Sequence, residues 1–213
     1  MAESGGSARR GGRMRRSLAR HRSLAIAIGA ATAGLVGFGL VTGSDVAIPY
    51  AVMVFGGMAL VAAIEPDDGF SGLALTGLSI WAIGHLTGGI IGIDGDRVLY
   101  NALLLDPIHW DNLVHFVGFG TAGLVWWEAV RGSIRVEPGH AIGVGVAVWF
   151  VGMGVGALNE VIEFIATLVL PDTNVGGYHN TGRDLIANLL GAATAAVVVV
   201  RRIRREPAPG SPD

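Results

Sequence analysis

Acidic residues and histidines recur at helical spacing within otherwise apolar sequence. On an α-helix, residues three or four positions apart share a face, so each such pair would present its polar atoms in one direction. Carboxylates beside imidazoles can act as general acids and bases, or they can hold a divalent cation. The pairs are Asp111 with His115, Asn159 with Glu163, Glu160 with Glu163, and Asp184 with Asn188.

These pairs define a candidate site. The predicted catalytic residues are Asp111, His115, Glu160, Glu163 and Asp184. The predicted substrate-binding residues are His85, Asn159, Asn180, Arg183 and Asn188. The donor set would suit a divalent cation, but the chain has no His-Glu-x-x-His motif, so neither the metal nor any other cofactor is assigned. Arg183 is available to pair with Glu160 or Glu163 or to hold an anionic head group.

The amino-acid composition indicates the environment in which these polar residues lie. Of 213 residues, 51% are hydrophobic, 34 are glycine and 15% are charged, against about 25% charged in soluble domains. The mean hydropathy is +0.55. The net charge of −2 gives no reason to expect nucleic acid as a partner, and the absence of cysteine excludes disulfide scaffolds and thiolate chemistry. The partner that this composition favours is a lipid bilayer.

Six apolar stretches have about the 17–25 residues that a membrane-spanning helix needs. We predict an all-α bundle that forms a transmembrane domain at residues 24–200. An arginine-rich tail at 1–22 is predicted to be disordered. A second tail follows at 201–213, and its residues 206–213 are predicted to be disordered. The first stretch is interpreted as a retained helix rather than a signal peptide, because its apolar run is long and no cleavage site follows. The spans are 24–41, 46–64, 70–93, 111–130, 140–170 and 182–200.

Arginine distribution predicts the orientation. With six spans both termini share a side, and 13 of the 15 arginines fall on that side. Cytoplasmic loops retain positive charge, so both termini are predicted to be cytoplasmic, in a multi-pass protein of the cell (inner) membrane. The candidate site then lies in the outer third of the membrane. Glu128, which follows two tryptophans near the inner end of span four, is interpreted as an interfacial acid.

Small residues continue the faces that carry the polar pairs. Gly118, Gly152 and Gly191 are examples on spans four, five and six. Such residues let helix backbones approach closely, so we expect the polar faces to meet inside the bundle. Ionisable groups in a membrane are costly, and four helices that converge at one depth favour a functional site over a structural polar knot.

Three segments resemble the YjdF-type family of prokaryotic membrane proteins. The first runs from Trp110 to Phe116 and the second from Gly156 to Phe164. The third runs from Asn174 to Gly191. The resemblance covers about residues 70–195. It implies a polytopic membrane protein but no established activity.

A more distant similarity is to VanZ-like proteins, which are associated with teicoplanin resistance. That similarity implies chemistry on envelope lipids or lipid-linked molecules. Asn112 stands where VanZ-like proteins often have lysine, so a role that depends on the ammonium group of that lysine does not carry over to this chain. The positions that match are Asp111, His115, Glu160, Glu163, Asp184, Asn188 and Gly191.

Three functions remain open from the sequence. The first is an intramembrane enzyme that acts on a cell-envelope lipid or lipid-linked phosphate. The second is a protein that binds or protects such a lipid or an amphiphile without chemistry. The third is a proton- or cation-coupled carrier, against which stands the absence of a detectable inverted repeat. The sequence leaves the substrate and the oligomeric state open.

The orientation can be tested in the cysteine-free chain. Single cysteines at Asp106 or Thr173 should react in intact cells with a membrane-impermeant thiol reagent, because both positions lie in predicted outer loops. Cysteines at Gly132 or Ser211 should be protected until the cells are lysed. The reverse labelling pattern would place the candidate site at the cytoplasmic leaflet.

Overall fold

The structure is a computed structural model that describes residues 12, 14–95, 97–134, 136–169, 173 and 175–205. Within those residues, six helices are long and apolar enough to cross a membrane. The prediction of an all-α membrane bundle with six spans is therefore confirmed. The helices are α1 (Arg22–Val41), α2 (Ala47–Ile64), α3 (Gly72–Ile90), α4 (Trp110–Val130), α5 (Ala141–Val169) and α6 (Tyr178–Arg205).

The helix ends depart from the predicted spans in two places. Residues 91–93, predicted to end span three, leave the helix because Gly92–Asp94 forms strand β1 against β2 (Arg97–Val98). Helix α6 starts four residues before the predicted 182 and continues five past 200, so residues 201–205 are helical. Its last turn carries arginines, which interact favourably with the carbonyl end of a helix.

The segment between α3 and α4 contains two short antiparallel hairpins that the sequence analysis did not predict. The first joins β1 and β2 through Gly95, whose φ of 54° lies in the left-handed region that glycine tolerates. The second pairs β3 (Leu103–Leu105) with β4 (Ile108–His109). A 3₁₀ turn at Leu99–Asn101 lies between them and turns Tyr100 into the protein, where it is buried.

The chain before α1 differs from the expected disordered tail. Residues 14–20 are helical, and Ser17 is buried. Arg20 and His21 bind the buried carboxylate of Glu65, at 3.3 Å from Arg20 Nη1 and 2.7 Å from His21 Nε2. Burial raises the pKa of the Glu65 carboxyl, but hydrogen bonds from Ser17 and His21 and the electrostatic interaction with His21 outweigh it and lower that pKa below its usual value.

The remaining parts of the two predicted disordered tails, 1–11, 13 and 206–213, lie outside the described residues.

The end of the bundle that carries most of the described arginines is called the arginine end here. It comprises the α2–α3 and α4–α5 connections and the C-terminal turns of α6. Glu128 lies here, and the prediction that it is interfacial is wrong, because it is 3% exposed. Its carboxylate accepts from the Ser71 backbone N–H at 2.8 Å, from Ser71 Oγ at 2.6 Å and from Arg202 at 2.7 Å. These bonds join α3, α4 and α6. That this end faces the cytoplasm stays a prediction.

Helices α4, α5 and α6 approach one another at glycines, as the small-residue pattern predicted. A Cβ built on Gly191 of α6 would overlap the backbone carbonyl of Phe116 in α4. A Cβ on Gly152 of α5 would lie 2.7 Å from the Phe119 carbonyl oxygen. Gly118 does not contact α5 or α6 in the way predicted. A Cβ built on it would instead meet the Trp81 ring of α3. Backbone contacts this close need glycine.

Helices α1 and α2 cover α3 and bury little of their own surface. Large apolar side chains remain exposed on the outer faces of the bundle, including Val41 at 88% and Val52 at 67%. In water such a surface would be a liability, whereas lipid is as apolar as the side chains themselves. The outer faces therefore fit a bilayer, and the polar residues of the candidate site other than Arg183 face inward.

The close approach of α4 and α6 makes Gly191→Ala a sharp test. The added methyl group has no room beside the Phe116 carbonyl, and overpacking of this kind costs about 1–3 kcal/mol. We expect a clear fall in the detergent melting temperature. Gly154→Ala is the matched control, because a Cβ there meets nothing within 4 Å. It should leave the melting temperature unchanged or slightly raised, and equal losses in both variants would contradict the packing.

Candidate functional site

The first turn of α4 is held by Asn112. Its side-chain oxygen accepts from the backbone N–H of His109 at 2.9 Å, which satisfies a donor just before the helix. Its side-chain nitrogen donates to Asp184 Oδ1 of α6 at 2.9 Å. Asp111 lies in the same turn, where the helix dipole favours an anion. Asn112 thus sets both the start of α4 and its alignment with α6.

His115 lies one turn further along α4, at the centre of the site. Its Nε2 is 3.5 Å from Asp111 Oδ1 and 3.9 Å from Glu163 Oε1. Its Nδ1 is 3.2 Å from Asn188 Oδ1 and 3.5 Å from Glu160 Oε1. The ring itself is 5% exposed. One imidazole therefore meets side chains of α4, α5 and α6, and we call Asp111, His115, Glu160, Glu163 and Asp184 the His115 cluster.

Helix α6 contributes a polar stripe of three residues at four-residue spacing. Asn180 donates to Asp184 Oδ2 at 2.6 Å and to Asp111 Oδ2 at 3.2 Å. Asp184 and Asn188 are fully buried, at 0% exposed. Both aspartates of the His115 cluster are thus held by amide donors, which are neutral.

Helix α5 supplies the two glutamates, and their environments differ. Glu163 Oε1 accepts from Asn159 Nδ2 at 2.6 Å, and the Glu163 side chain is 25% exposed. The Glu160 side chain is 8% exposed, and neither of its oxygens forms a hydrogen bond of normal geometry among the described residues, although the side chains of Asn159 and Thr181 and the His115 ring lie nearby. A buried carboxylate without a donor is costly, so Glu160 is the residue of the site whose charge most needs a cation.

Arg183 does not supply that cation. It lies on an exposed face of α6, and within the described part of the chain it forms no ion pair with Glu160 or Glu163. The predicted pairing is therefore wrong. The reason is helical geometry, because neighbouring residues point about 100° apart, so Arg183 turns outward when Asp184 turns inward. Its predicted role in holding an anionic head group stays a prediction.

His85 of α3 stands beside the His115 cluster in an aromatic box. Trp81 stacks on the imidazole with ring centroids 5.6 Å apart, and the Tyr50 centroid is 4.6 Å away. The Tyr100 hydroxyl hydrogen-bonds to His85 Nδ1 and also donates to the His85 carbonyl at 3.0 Å. His85 Nε2 is buried and has no hydrogen-bond partner among the described residues.

A cavity of about 250 Å³ connects these groups to the outside of the bundle. Its polar end is formed by His85, Tyr100, Asp111, Glu163 and Asn180. Its walls are apolar side chains of α2 and α5, among them Val52 and Ile162, which are 67% and 50% exposed. The cavity is therefore bounded by exposed apolar side chains of α2 and α5 and, at the end of the bundle, by Thr173 and Val175 of the α5–α6 connection.

Comparison with known proteins identifies the family. The family described as "Predicted membrane protein (DUF2238)" matches residues 23–205, which span all six helices. The chain belongs to this family. The prediction of a YjdF-type membrane protein is thereby confirmed, while the similarity to VanZ-like proteins stays a prediction.

One curated relative is an uncharacterised protein of Thermotoga maritima. The two are 31% identical over 94 residues, which are 44% of this chain and 48% of the relative. The matched part therefore spans about half the length of that relative. No solved structure matches the chain. Membership of the family establishes a multi-pass membrane protein, and the chemistry of the site has to be argued from its geometry.

The structure brings nine of the ten predicted site residues into one connected group at one end of the bundle, which we call the site end. Eight of them are linked by the contacts above, and His85 joins them through the shared cavity. Arg183 is the exception. Two triads have ligand atoms within 4.8 Å of one another, and both could hold a metal ion. They are Asp111, His115 and Asp184, and His115, Glu160 and Glu163.

Sequence reasoning missed Asn112 and the aromatic box. Asn112 had a detectable signal, because an asparagine two residues into a helix, next to Asp111, is placed to bond a preceding backbone N–H. Tyr100 had none. It lies in a connecting segment that carries no helical period, and only the hairpins bring it to His85.

A double-mutant cycle tests the outward direction of Arg183. Arg183→Gln combined with Glu160→Gln, or with Glu163→Gln, should change the unfolding free energy additively, within about 0.5 kcal/mol. Asn112→Ala combined with Asp184→Asn serves as the coupled reference, since these side chains are 2.9 Å apart. The measurement is thermal or denaturant unfolding in detergent. Coupling of Arg183 comparable with the reference would mean that the arginine turns inward.

Proposed function

We propose that this protein binds a cell-envelope lipid in the cavity between α2 and α5 and acts on its polar head group at the His115 cluster. The observation that carries the proposal is the cavity, which has carboxylates and imidazole at one end and exposed apolar walls at the other. A lipid has the same division into a polar head and an apolar chain, and ligand pockets combine apolar walls with a few convergent polar groups.

The placement of the acids supports head-group chemistry. Asp111 and Glu163 line the cavity itself, and His115 Nε2 lies within 4 Å of both. A hydroxyl or amino group of a bound lipid that entered the polar end would meet an acid–base pair. Proton transfer by positioned side chains contributes typically 10²–10⁴-fold to a reaction rate. Glu163 is the residue we assign as the acid–base group, because its side chain is part-exposed toward the cavity.

The charge of the site limits how a lipid-linked phosphate could bind. The four carboxylates of the His115 cluster have no arginine partner among the described residues. A phosphate would therefore be repelled unless a cation stood between it and the carboxylates. Head groups rich in hydroxyl or amino donors fit the acids directly, and a lipid-linked phosphate fits through a bound metal.

The lipid site can be tested by photo-crosslinking in nanodiscs. Trace phosphatidylethanolamine or polyprenyl phosphate would carry a diazirine in its apolar chain, and labelled peptides would be mapped by mass spectrometry. Labelling should concentrate on residues 46–53 of α2 and 162–166 of α5. Ala166→Phe fills the wall of the cavity and should lower this labelling about tenfold, the effect of ~1.4 kcal/mol of lost binding free energy.

Ala157→Phe is the matched control, since it makes the same change on an exposed position of α5 that does not line the cavity. It should retain the labelling. Uniform labelling along all exposed helix faces would contradict a lipid site. A converted head group that is lost in Glu163→Gln would support an enzyme, whereas unchanged lipid in both proteins would identify a binding or protective protein.

A further inference from the structure

The imidazole of His115 is oriented in the way that metal-ligating histidines are. Asn188 places its carbonyl oxygen 3.2 Å from Nδ1, so a proton on Nδ1 is donated to Asn188 and the lone pair resides on Nε2. Histidines that bind metals usually donate their other N–H to a carbonyl or carboxylate, which fixes the tautomer. Asn188 is fully buried, and its side chain packs against Gly156 of α5, where a Cβ would lie 2.6 Å from Nδ2.

A lone pair on Nε2 has no donor to meet. The carboxylate oxygens that face Nε2 are Asp111 Oδ1 at 3.5 Å and Glu163 Oε1 at 3.9 Å. Like the nitrogen lone pair, these oxygens are acceptors. Such separations are too long for hydrogen bonds. Two ligands of one metal, each about 2.1 Å from it, lie about 3.0–3.4 Å apart. A shift of a few tenths of an ångström would therefore bring the nitrogen and carboxylate oxygens to coordination distance.

The hydrogen-bond partners divide the four acids into two kinds. Asp111, Asp184 and Glu163 accept from the amides of Asn180, Asn112 and Asn159. The Glu160 side chain is more than nine-tenths buried, and neither of its oxygens forms a hydrogen bond of normal geometry among the described residues, although the side chains of Asn159 and Thr181 lie nearby. The side-chain Nδ2 of Asn188 is also buried without a partner among the described residues, and it lies against Gly156 of α5.

We propose that His115, Glu160 and Glu163 bind a divalent transition-metal ion. One nitrogen of His115 and one oxygen of each glutamate lie within 4.8 Å of one another. Glu163 Oε1 faces Nε2 at 3.9 Å, whereas Glu160 Oε1 is 3.5 Å from Nδ1, so an ion held by Nε2 and Glu163 requires the Glu160 carboxylate to turn toward the Nε2 side of the ring. The ion supplies the positive charge that Arg183 does not bring to the site. Asp111 and Asp184, held by their amide donors, stand next to it and keep the ligands aligned. Binding of the ion does not require a lipid, but the site shares His115 and Glu163 with the proposed lipid site. With the ion bound, Glu163 is a ligand and Asp111, which also lines the cavity, remains as the acid–base group.

The donor set indicates which ions fit. An imidazole nitrogen favours zinc, iron, copper and nickel, whereas carboxylate oxygens favour magnesium, calcium and manganese. One nitrogen with two or more carboxylates therefore selects manganese, iron or zinc over magnesium and calcium. Because the cavity reaches Glu163, a bound ion would also have an open position toward the lipid head group, where it could bridge to a phosphate.

The test begins with the purified full-length protein in detergent or nanodiscs. Protein stripped with EDTA should take up about one equivalent of Mn²⁺ or Zn²⁺, measured by plasma mass spectrometry after desalting. At an ion concentration about 100-fold above Kd, the melting temperature should rise by about 5–10 °C. Magnesium and calcium at the same concentration should produce a much smaller rise.

Two variants and one spectroscopic measurement separate a metal site from a structural polar cluster. Glu160→Gln should abolish the metal-dependent rise, and Glu137→Gln, the same change at an exposed glutamate, should keep it. Electron spin echo spectra of Mn²⁺ bound to the unaltered protein should contain the nitrogen coupling of an imidazole, which His115→Gln should remove. The spectrum of the unaltered protein gives a result even if both variants fail to fold.

The proposal is overturned if the stripped protein takes up no Mn²⁺ or Zn²⁺ and its melting temperature does not respond to them. It is also overturned if bound Mn²⁺ lacks a nitrogen coupling. A protein whose stability instead rises as the pH is lowered, with no response to metals, compensates its acids with protons. Metal binding without any lipid labelling in the cavity between α2 and α5 would retain this inference and refute the lipid proposal alone.

Discussion

The close backbone approach of α4 to α6 is the constraint on which the site depends. Gly191 lies directly against the Phe116 carbonyl. Within two turns of that contact, Asn188 reaches His115 at 3.2 Å and Asp184 reaches Asn112 at 2.9 Å. Side-chain amides are short, so these bonds exist only where the two helix axes are held near one another. Any residue larger than glycine at the crossing would separate the helices and open the polar contacts.

Buried acids have different partners at the two ends of the bundle. At the arginine end, Glu65 is paired with Arg20 and His21, and Glu128 is held by Ser71 and Arg202. Those contacts join helices and leave little charge uncompensated, which is what a structural role requires. At the site end, the acids meet neutral amides and each other, and Glu160 forms no hydrogen bond of normal geometry among the described residues. The negative charge of these acids therefore has to be neutralised by a ligand, a proton or a metal ion. Ionisable groups inside a membrane usually mark a functional site.

The cavity joins the acidic groups of the site to apolar side chains on the outer helices of the bundle. Its lining combines apolar side chains of α2 and α5 with the carboxylates of Asp111 and Glu163. His85, held by Tyr100 and stacked on Trp81, forms a rigid wall on the side of α3. A lipid head group could reach the His115 cluster without passing through the packed interface of α4, α5 and α6. The family match extends over all six helices and thus includes every element that forms the cavity.

The amino-acid sequence by itself determined the spans and the polar stripes, because hydropathy depends on composition and the helical period relates residues within one helix. It thereby predicted that Asp111 and His115 share a face, as do Asp184 and Asn188. It could not determine how each helix is rotated against its neighbours, and this rotation turned Arg183 outward and brought Glu128 inside. Nor could it predict that two hairpins carry Tyr100 to His85, since pairing between distant residues depends on three-dimensional packing. The tertiary structure alone decided which acids receive a donor and which, like Glu160, do not.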